Sequence, residues 1–323
     1  MSAAHRDRTT YPAQPAGAEE PTGAEEPTGG VEPTGDGEPS TRPAGGRARG
    51  AAGGARARAR EEITAVIKDE ARRQLAAEGA AKLSLRAVAR EIGMVSSALY
   101  RYFPSRDELL TELIIDAYNA LGAAGEEADR SFVTRLAEAA EGSAGLAGPD
   151  GGLFPASLAD SDPAYRTAAV GRWVAVCRAV REWALAHPQE YALIYGSPVP
   201  GYTAPTATVG PASRIAVLLV DIVREGRRET GLSVQPLPAS LAAEARRLAD
   251  EVAPDLPPAV VMPMVAAWAQ LFGLVSFEVF GQFNRVVESR EDFFVRSVAV
   301  LAASVGLVAP MEGAGGAGTV PAP

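Results

Sequence analysis

The chain has 323 residues, of which 47% are apolar and 6% aromatic, so it is long enough to bury the core of one large or two modest domains. Its formal net charge of −9 argues against a generally basic coat for nucleic acid, although only local charge need face such a partner. The single cysteine, Cys177, and the two histidines, His5 and His187, exclude an internal disulfide and leave almost no metal ligands, so we predict no metal site and no cofactor.

The two ends of the chain are predicted to lack a packed core. Residues 1–46 contain the near-repeat GAEEPT, GAEEPT, GVEPT and GDGEPS, an acidic Pro/Gly-rich sequence that cannot form an apolar face, and we interpret them as disordered. Residues 309–323 are interpreted as a second disordered tail. The opening MSAAHRDRTT lacks the apolar stretch of a secretory signal, so the expected localisation is cytoplasmic.

An arginine-rich arm at residues 47–60 follows, in an Ala/Gly background without an acidic residue. Such an arm can lie along phosphates or reach into a minor groove, and it can equally be a solubilising linker. The sequence leaves both interpretations open. The arginines are Arg47, Arg49, Arg56, Arg58 and Arg60.

Helical patterns then form a small N-terminal unit, which we place at residues 61–121. A first helix is predicted over residues 61–78 and ends at Gly79. Ser84 suits the N-cap of a second, two-turn helix, and Gly93 accepts the left-handed backbone that reverses the chain. Residues 95–103 then form a third helix that crosses the second steeply, so the sequence predicts a helix-turn-helix.

The third helix has an apolar inner face and a polar outer face. Leu99 and Phe103 share the inner face, and no acidic residue between Ile92 and Arg106 would repel phosphate. Hydrogen bonds to phosphate position such a helix on DNA, whereas contacts to base edges specify sequence. Some of the outer hydroxyls can instead cap or pack. The expected contacts are Arg101 to guanine, Ser96 and Ser97 to phosphate or base, and Tyr100 and Tyr102 to phosphate.

The stretch LRAVAREIGMVSSALYRYFPSRDELL closely resembles the DNA-binding signature of the tetracycline-repressor (TetR) family, over residues 63–113. The resemblance implies phosphate contacts for Ser84 and Arg106, each at or near a helix N-terminus. It also implies a homodimer that reads a palindromic operator in double-stranded DNA, and a small-molecule ligand that changes the spacing of the two reading heads. Val95 departs from the family, which usually has Ser or Thr as the cap of the recognition helix.

The remainder of the chain predicts helices and no convincing strand pair, so the fold class is all-α, with residues 122–308 as a helical regulatory and dimerisation domain. Ser105 and Glu108 form a capping box for a connecting helix. The helical pattern then breaks up over residues 122–161, around a candidate short helix at residues 132–140. Later helices are predicted to begin at Asp162-Pro163 and His187-Pro188, to cover residues 214–228, 241–252 and 260–287, and to end with one that Ser289 and Asp292 cap and that stops near Gly306.

Two stretches of this region, WALAHPQEYALIYGSP and AWAQLFGLVSFEVFGQF, resemble a regulatory-domain type that carries a Trp followed by His-Gly. Trp268 and Gly273 match that pattern, whereas Phe272 occupies the histidine position. Any hydrogen bond made by that histidine is therefore absent, and the ligand cannot be inferred from relatives.

The run from Pro258 to Phe277 is long and apolar enough to span a bilayer. No cluster of Lys or Arg flanks it, so we interpret it as a helix buried at a subunit interface and predict no membrane partner. The last two helices are the predicted dimer interface, and a purely intramolecular core is the alternative. The interface candidates are Val261, Val265, Trp268, Leu271, Phe272, Val275, Val279, Phe294, Val298 and Leu301.

The middle helices are rich in aromatic residues, which suit a mostly apolar pocket with a few polar tips. Such residues at helical spacing can equally be core. The candidate ligand-binding residues are Trp173, Cys177, Trp183, Tyr191 and Tyr195.

Enzyme motifs are missing from the sequence: there is no P-loop, HExxH or GxSxG, and the GAGGAG at residues 313–318 follows no strand. We therefore predict no enzyme and no catalytic residue. The helix-turn-helix predicts DNA binding, and the family resemblance implies a transcriptional repressor that a small, largely apolar ligand releases. The alternative is a helical protein-interaction module that has lost DNA binding.

Overall fold

A computed structural model describes residues 46–141 and 167–307, which are helical and contain no strand, so the all-α prediction is confirmed. The predicted tails and the predicted helix start at Asp162-Pro163 lie outside these residues. The helices are α1 Gly46–Glu78, α2 Leu85–Glu91, α3 Ser96–Leu99, α4 Arg106–Glu141, α5 Ala168–Ala186, α6 Pro188–Tyr195, α7 Val209–Thr230, α8 Ala242–Val252, α9 Pro258–Val279 and α10 Arg290–Ser304.

The first helix is longer than predicted. It begins at Gly46 instead of Glu61, so the helix runs through the arginine-rich arm. The alanine-rich background favours helix, and the glycines of the arm do not interrupt it. The chain divides into two units, residues 1–53 and 54–323, and the packing described below lies within the second unit.

Two hydrophobic cores lie along the chain, and α4 contributes to both. The first core joins α1, α2, α3 and the start of α4, where Leu109, Leu110 and Leu113 are buried. The second joins the later helices, and α4 supplies Ala117 and Leu121 to it. The boundary predicted at residues 121 and 122 therefore falls within one continuous helix.

The break predicted over residues 122–141 is wrong, because α4 continues to Glu141. Gly122 lies against α7, where an added Cβ would come within 2.9 Å of the Arg214 side chain. The guanidinium of Arg214 bonds both carboxylate oxygens of Glu126, at 2.8 and 2.7 Å. This glycine permits close helix packing instead of ending the helix.

The later helix ends differ from their predicted bounds. The helix α9 stops at Val279 instead of residue 287, and the chain then turns with positive φ at Gly281 and Arg285. In the described part, α5 begins after Thr167, whose side chain accepts a hydrogen bond from the Val170 amide. Ser289 stands at the N-cap of α10 without a side-chain bond, whereas Ser105 accepts one from the Glu108 amide at 3.1 Å.

Ion pairs connect α5 to its neighbours. The guanidinium of buried Arg181 contacts both oxygens of buried Glu278 on α9, at 2.6 and 2.8 Å, and also pairs with Glu291 on α10. Arg172 pairs with Asp129 on α4 at 2.7 Å. Such pairs fix the register of the helices, because a buried charge without its partner is costly.

Two helices are long and apolar enough to cross a membrane by length and composition alone, Thr206–Glu229 and Pro258–Val279. Each has one face in the second core, which accounts for much of its apolar character. Core helices of soluble proteins meet the same criterion, so these two helices do not indicate a membrane protein.

Candidate functional site

The turn between α2 and α3 forms because Gly93 adopts a φ of +68°. The Met94 amide bonds the Ala89 carbonyl at 2.8 Å, and the Gly93 amide bonds the Arg90 carbonyl at 3.2 Å. These two bonds are the Schellman pattern that ends a helix, and they need a left-handed residue at this position. They set the direction in which α3 leaves the turn.

The recognition helix is shorter than predicted, because only Ser96–Leu99 is α-helical. Residues 100–102 continue it as tight turns, and the Phe103 amide still bonds the Leu99 carbonyl at 3.1 Å. Val95 stands at the N-cap and makes no side-chain bond, although its carbonyl accepts from the Ala98 amide at 2.9 Å. The helix therefore starts without the usual polar cap.

Leu99 and Phe103 are buried in the first core and fix the orientation of this segment, as predicted. Ser97, Tyr100 and Arg101 are exposed, and Ser96, Tyr102 and Ser84 are half-buried. Ser84 occupies the N-cap of α2 but makes no side-chain capping bond. None of these six residues is buried, and we call the set that the sequence assigns to DNA the reading face: Ser84, Ser96, Ser97, Tyr100, Arg101 and Tyr102.

Arg60 on α1 supports the end of the recognition segment, a contact that the sequence did not reveal. Its guanidinium donates to the Arg101 carbonyl at 3.3 Å and lies 5.1 Å from the centre of the Tyr102 ring. Sequence reasoning placed Arg60 in the arm, because nothing in the local pattern links it to residues 41 positions away. Arg58 and Arg56, two and four residues before Arg60 on α1, are exposed.

Arg106 is bonded within the protein. Its guanidinium donates to the Ala80 carbonyl at 2.8 Å and to the Leu83 carbonyl at 3.2 Å, and it pairs with Asp107 at 3.2 Å. These bonds tie the start of α4 to the segment that precedes α2. The arrangement gives Arg106 a positioning role for the reading face.

Ionic contacts also hold α1 against α4 and α6. Lys68 pairs with Glu112 at 2.9 Å and Asp116 at 3.1 Å. Arg72 pairs with Asp116 at 2.7 Å and with Glu190 at 3.0 Å. Since Glu190 belongs to α6, Arg72 links the first core to the helix that precedes the segment 196–205.

A cavity of about 770 Å³ is formed by α4, α6, the segment 196–204, α7, α8 and α9. Among the described residues that line it, none is charged. The hydroxyl groups in the lining belong to Tyr118, Ser197, Tyr202, Thr208 and Ser213. A cavity of this size, mostly apolar with a few polar groups, has the character of a small-molecule site.

Most of these hydroxyls already have partners within the protein. The Tyr202 hydroxyl lies 2.9 Å from the Thr111 hydroxyl on α4, and the Tyr118 hydroxyl donates to the Ile194 carbonyl at 3.4 Å. Burial, with a smaller contribution from nearby Tyr202, raises the pKa of Tyr118. Tyr202 was not among the predicted site residues, because it lies between helices, where helical periodicity gives no signal.

None of the five predicted ligand-binding residues lines this cavity. Trp173 donates its ring N–H to the Val298 carbonyl at 3.0 Å, and it is buried in the second core together with Cys177 and Trp183. The hydroxyl of buried Tyr191 lies 3.1 Å from the Phe272 carbonyl and 2.9 Å from the Ser276 hydroxyl. Burial raises the pKa of the Cys177 thiol, which makes it a poor nucleophile. Helical periodicity locates a buried face but not the neighbour that covers it.

Phe272, at the expected histidine position, forms part of an aromatic row. Its ring stacks on Tyr195 with centroids 4.0 Å apart and meets Trp268 edge-on at 5.4 Å. Trp268 lines the cavity, whereas Tyr195 lines a second cavity of about 700 Å³. Burial raises the pKa of Tyr195, so its hydroxyl stays neutral.

Most residues of the predicted dimer interface are not on the exposed surface of α9 and α10. Val265 and Trp268 are exposed and also line the cavity, and Val279 packs against the second core. The others are buried within the chain: Val261, Leu271, Phe272, Val275, Phe294, Val298 and Leu301. A partly exposed apolar surface lies elsewhere on these helices and on the turn between them, and we call it the outer face: Phe277, Phe293 and Val300 are exposed, and Leu274 and Phe283 are half-buried.

Comparison with known proteins agrees with this arrangement. Residues 67–113 match a family described as bacterial regulatory proteins, tetR family, and residues 173–301 match one described as tetracyclin repressor-like, C-terminal domain. The first match covers the helix-turn-helix, and the second covers most of the second core.

Similar proteins are described as transcriptional regulators or regulatory proteins. The HTH-type transcriptional regulators Rv1816 of Mycobacterium tuberculosis and Mb1846 of Mycobacterium bovis are each 38% identical over 234 residues, which is 72% of this chain and 86% of the relative. The solved structure of SCO4313 is 30% identical, with a TM-score of 0.56 over 76% of this chain and 98% of that one.

Proposed function

Because the chain belongs to the tetracycline-repressor (TetR) family of transcription regulators, we propose that it is a homodimeric repressor that a small, largely apolar ligand releases from a palindromic operator. Proteins of this family are transcription factors and not enzymes. The observation that carries the proposal is the reading face, where exposed Arg101 and its neighbouring hydroxyls are held in place by buried Leu99 and Phe103.

On DNA, the reading face would combine base and phosphate contacts. We assign Arg101 to a guanine edge, because it is exposed and a guanidinium can bond O6 and N7 together. Ser84, Tyr100 and Tyr102 are assigned to phosphate, and Ser96 and Ser97 to phosphate or base. Arg106 was expected at phosphate, and its three internal contacts favour a positioning role instead.

The arginine-rich arm is proposed to add affinity from outside the reading face. Arg56 and Arg58 are exposed on α1, a few residues before Arg60, which contacts the recognition segment. Phosphate contacts by such residues strengthen binding to all sequences alike and weaken with salt. A solubilising linker, the other interpretation, would leave the salt dependence unchanged when both arginines are replaced by alanine.

Dimerisation would let two copies read half-sites in successive major grooves, since one helix-turn-helix reads too few base pairs for genomic selectivity. The outer face supports this assignment because it is an apolar surface on two neighbouring helices. Phe277 is 53% exposed and Val300 60% exposed, which is costly for a monomer in water.

The cavity is the proposed ligand site, in place of the aromatic residues named from the sequence. Its position beside α4 supports a regulatory role, because α4 contributes to both cores. The proposal retains the Trp-His-Gly resemblance of the regulatory domain, supported by Trp268 at the cavity and by Phe272, which meets it edge-on. It also retains the cytoplasm as the compartment, which is the usual location of such regulators.

The deciding experiment is genome-wide mapping of bound DNA in the native host, followed by titration of a recovered operator and a scrambled duplex. We expect symmetric sites, and Arg101→Ala should cost about 1–3 kcal/mol and relax specificity at one position of each half-site. Arg246→Ala, which removes an exposed arginine of α8 instead, is the matched control and should bind as the wild type does. Absence of any enriched site would favour the interaction module that has lost DNA binding.

A further inference from the structure

A short segment separates the cavity from the second cavity, and we call residues 196–205 the wall segment. Gly196, Ser197, Pro198 and Val199 line both spaces, one of about 770 Å³ and the other of about 700 Å³. The second cavity is also lined by Leu75, Gly79 and Ala80, at the end of α1 and just after it. The wall segment therefore has open space on both sides and lies next to the helix-turn-helix.

The wall segment is attached to α4 and, through α6, to α1, the two helices that pack against the helix-turn-helix in the first core. Tyr202 bonds Thr111 on α4 at 2.9 Å, and both Val199 and Tyr202 pack against the first core. The segment begins directly after α6, which Glu190 links to Arg72 on α1 at 3.0 Å. A displacement of the wall segment would therefore act on α4 and on α1 together.

The lining of the cavity limits what can bind there. A charged ligand would lose its hydration without meeting an opposite charge, because no described residue in the lining is charged. The Thr208 hydroxyl donates to the Pro205 carbonyl at 2.8 Å, and the Ser213 hydroxyl donates to the Gly210 carbonyl at 2.9 Å. Few polar groups remain for the ligand, so an uncharged molecule with little hydrogen-bonding capacity fits best.

We propose that the cavity takes an uncharged, largely apolar molecule and that the wall segment is its sensor, with the Tyr202–Thr111 bond passing the change to α4. The proposal rests on the proposed function and names the ligand class and the sensing residues of that regulator. An occupant that needs more room than the cavity offers moves the wall segment toward the second cavity. The ligand thereby favours the state with the displaced wall, which is the requirement for any shift in DNA affinity.

The ligand class can be tested with two fluorescent probes that share the same rings. N-phenyl-1-naphthylamine is neutral, and 1-anilinonaphthalene-8-sulfonate adds one negative charge. Ala216→Trp fills the cavity, whereas Val217→Trp, at the next and exposed position of α7, is the matched control. Only fluorescence that Ala216→Trp removes and Val217→Trp retains counts as binding in the cavity.

We expect the neutral probe to bind this site at least about tenfold more tightly than the sulfonate, because the charge must be buried without a partner. Circular dichroism checks that both variants remain folded. Equal binding of the two probes, or no cavity-specific binding of the neutral probe, would overturn the assignment of the ligand class.

The sensor can be tested by hydrogen exchange of the full chain with and without the neutral probe, which does not depend on DNA binding. In the wild type we expect altered exchange in the wall segment, at residues 75–82 and in the first turns of α4. In Tyr202→Phe, which removes only the hydroxyl, the change should stay within the wall segment. Thr134→Val, which removes an exposed hydroxyl of α4 outside the cavity, is the control and should behave as the wild type does.

Operator titration with the same proteins measures the consequence for DNA. The probe should weaken wild-type binding by about tenfold and Tyr202→Phe binding by less than about twofold, within the usual range of allosteric coupling. Undiminished coupling in Tyr202→Phe, by exchange or by titration, would refute the sensor. A ligand-free protein that binds no operator would instead refute the proposed function and leave the exchange result to decide on the sensor.

Discussion

Replacing Phe277 with alanine should separate the dimer. Phe277 is 53% exposed on the outer face, so roughly 100 Å² of its surface remains to be buried by a partner, given about 200 Å² for a whole ring. At about 25 cal/mol per Å², this burial is worth about 2.5 kcal/mol, of which alanine would retain about a third. A twofold interface contains the residue twice, so the total loss is about 3 kcal/mol. The dimer dissociation constant should therefore rise on the order of 100-fold.

Sedimentation over a nanomolar to micromolar range measures this constant directly. A second pair of variants tests the location of the interface: Val300→Asp places a charge on the outer face, and Val217→Asp places one on an exposed valine of α7. We expect the first to be monomeric and the second to remain dimeric. The assignment fails if Phe277→Ala changes the constant by less than about threefold, if both aspartates act alike, or if the wild type is monomeric at micromolar concentration.

Three further predictions concern stability and positioning. Arg106→Ala should weaken binding to operator and scrambled duplex alike. It should also lower the free energy of unfolding, because it removes the bonds to the Ala80 and Leu83 carbonyls. An unchanged unfolding curve in urea would argue for a phosphate contact alone. Gly122→Ala should lower the free energy of unfolding by about 1–3 kcal/mol, because the added Cβ would meet the Arg214 side chain. Gly210→Ala, in open space in the first turn of α7, should raise the free energy of unfolding by up to about 1 kcal/mol. Changes of the same sign in the two variants would contradict this reasoning. Burial raises the pKa of Tyr191 from 10.0 to about 12, so its contribution to stability is present below pH 10 and is lost as the pH rises toward 12. In Tyr191→Phe, the free energy of unfolding in urea should fall less steeply between pH 10 and 12 than in the wild type. An equally steep fall in both proteins would refute the prediction.

The helix-turn-helix could be predicted from the sequence because local rules specify it. Gly93 is needed where the backbone takes a positive φ, and the burial of Leu99 and Phe103 follows from their spacing in a short helix. The all-α class follows in the same way from periodicity and the absence of strand patterns. Each of these features depends on residues close in sequence, so one chain without relatives carries enough information.

The cavity and the outer face could not be predicted, because both depend on which helices become neighbours. The helix α9 is apolar on most of its circumference, and its sequence does not tell which side meets α5 and α10 and which side stays exposed. The same ambiguity placed Trp173 and Trp183 in a pocket when they belong to the core. Arg60 and Arg106 illustrate the limit for polar residues, since their partners are 41 and 26 positions away.

The contacts around α4 restrict how a ligand can act on DNA affinity. Leu109, Leu110 and Leu113 are fully or almost fully buried, and Lys68 and Arg72 bind acidic residues on α4, so α1 and the start of α4 form one packed unit with the reading face. Bending within that unit would break a close-packed core, whereas moving it as a body changes only the contacts along its border. The wall segment lies at that border. In a dimer joined through the outer face, a movement at the wall segment changes the separation of the two reading faces. DNA with a fixed half-site spacing binds only one such separation well.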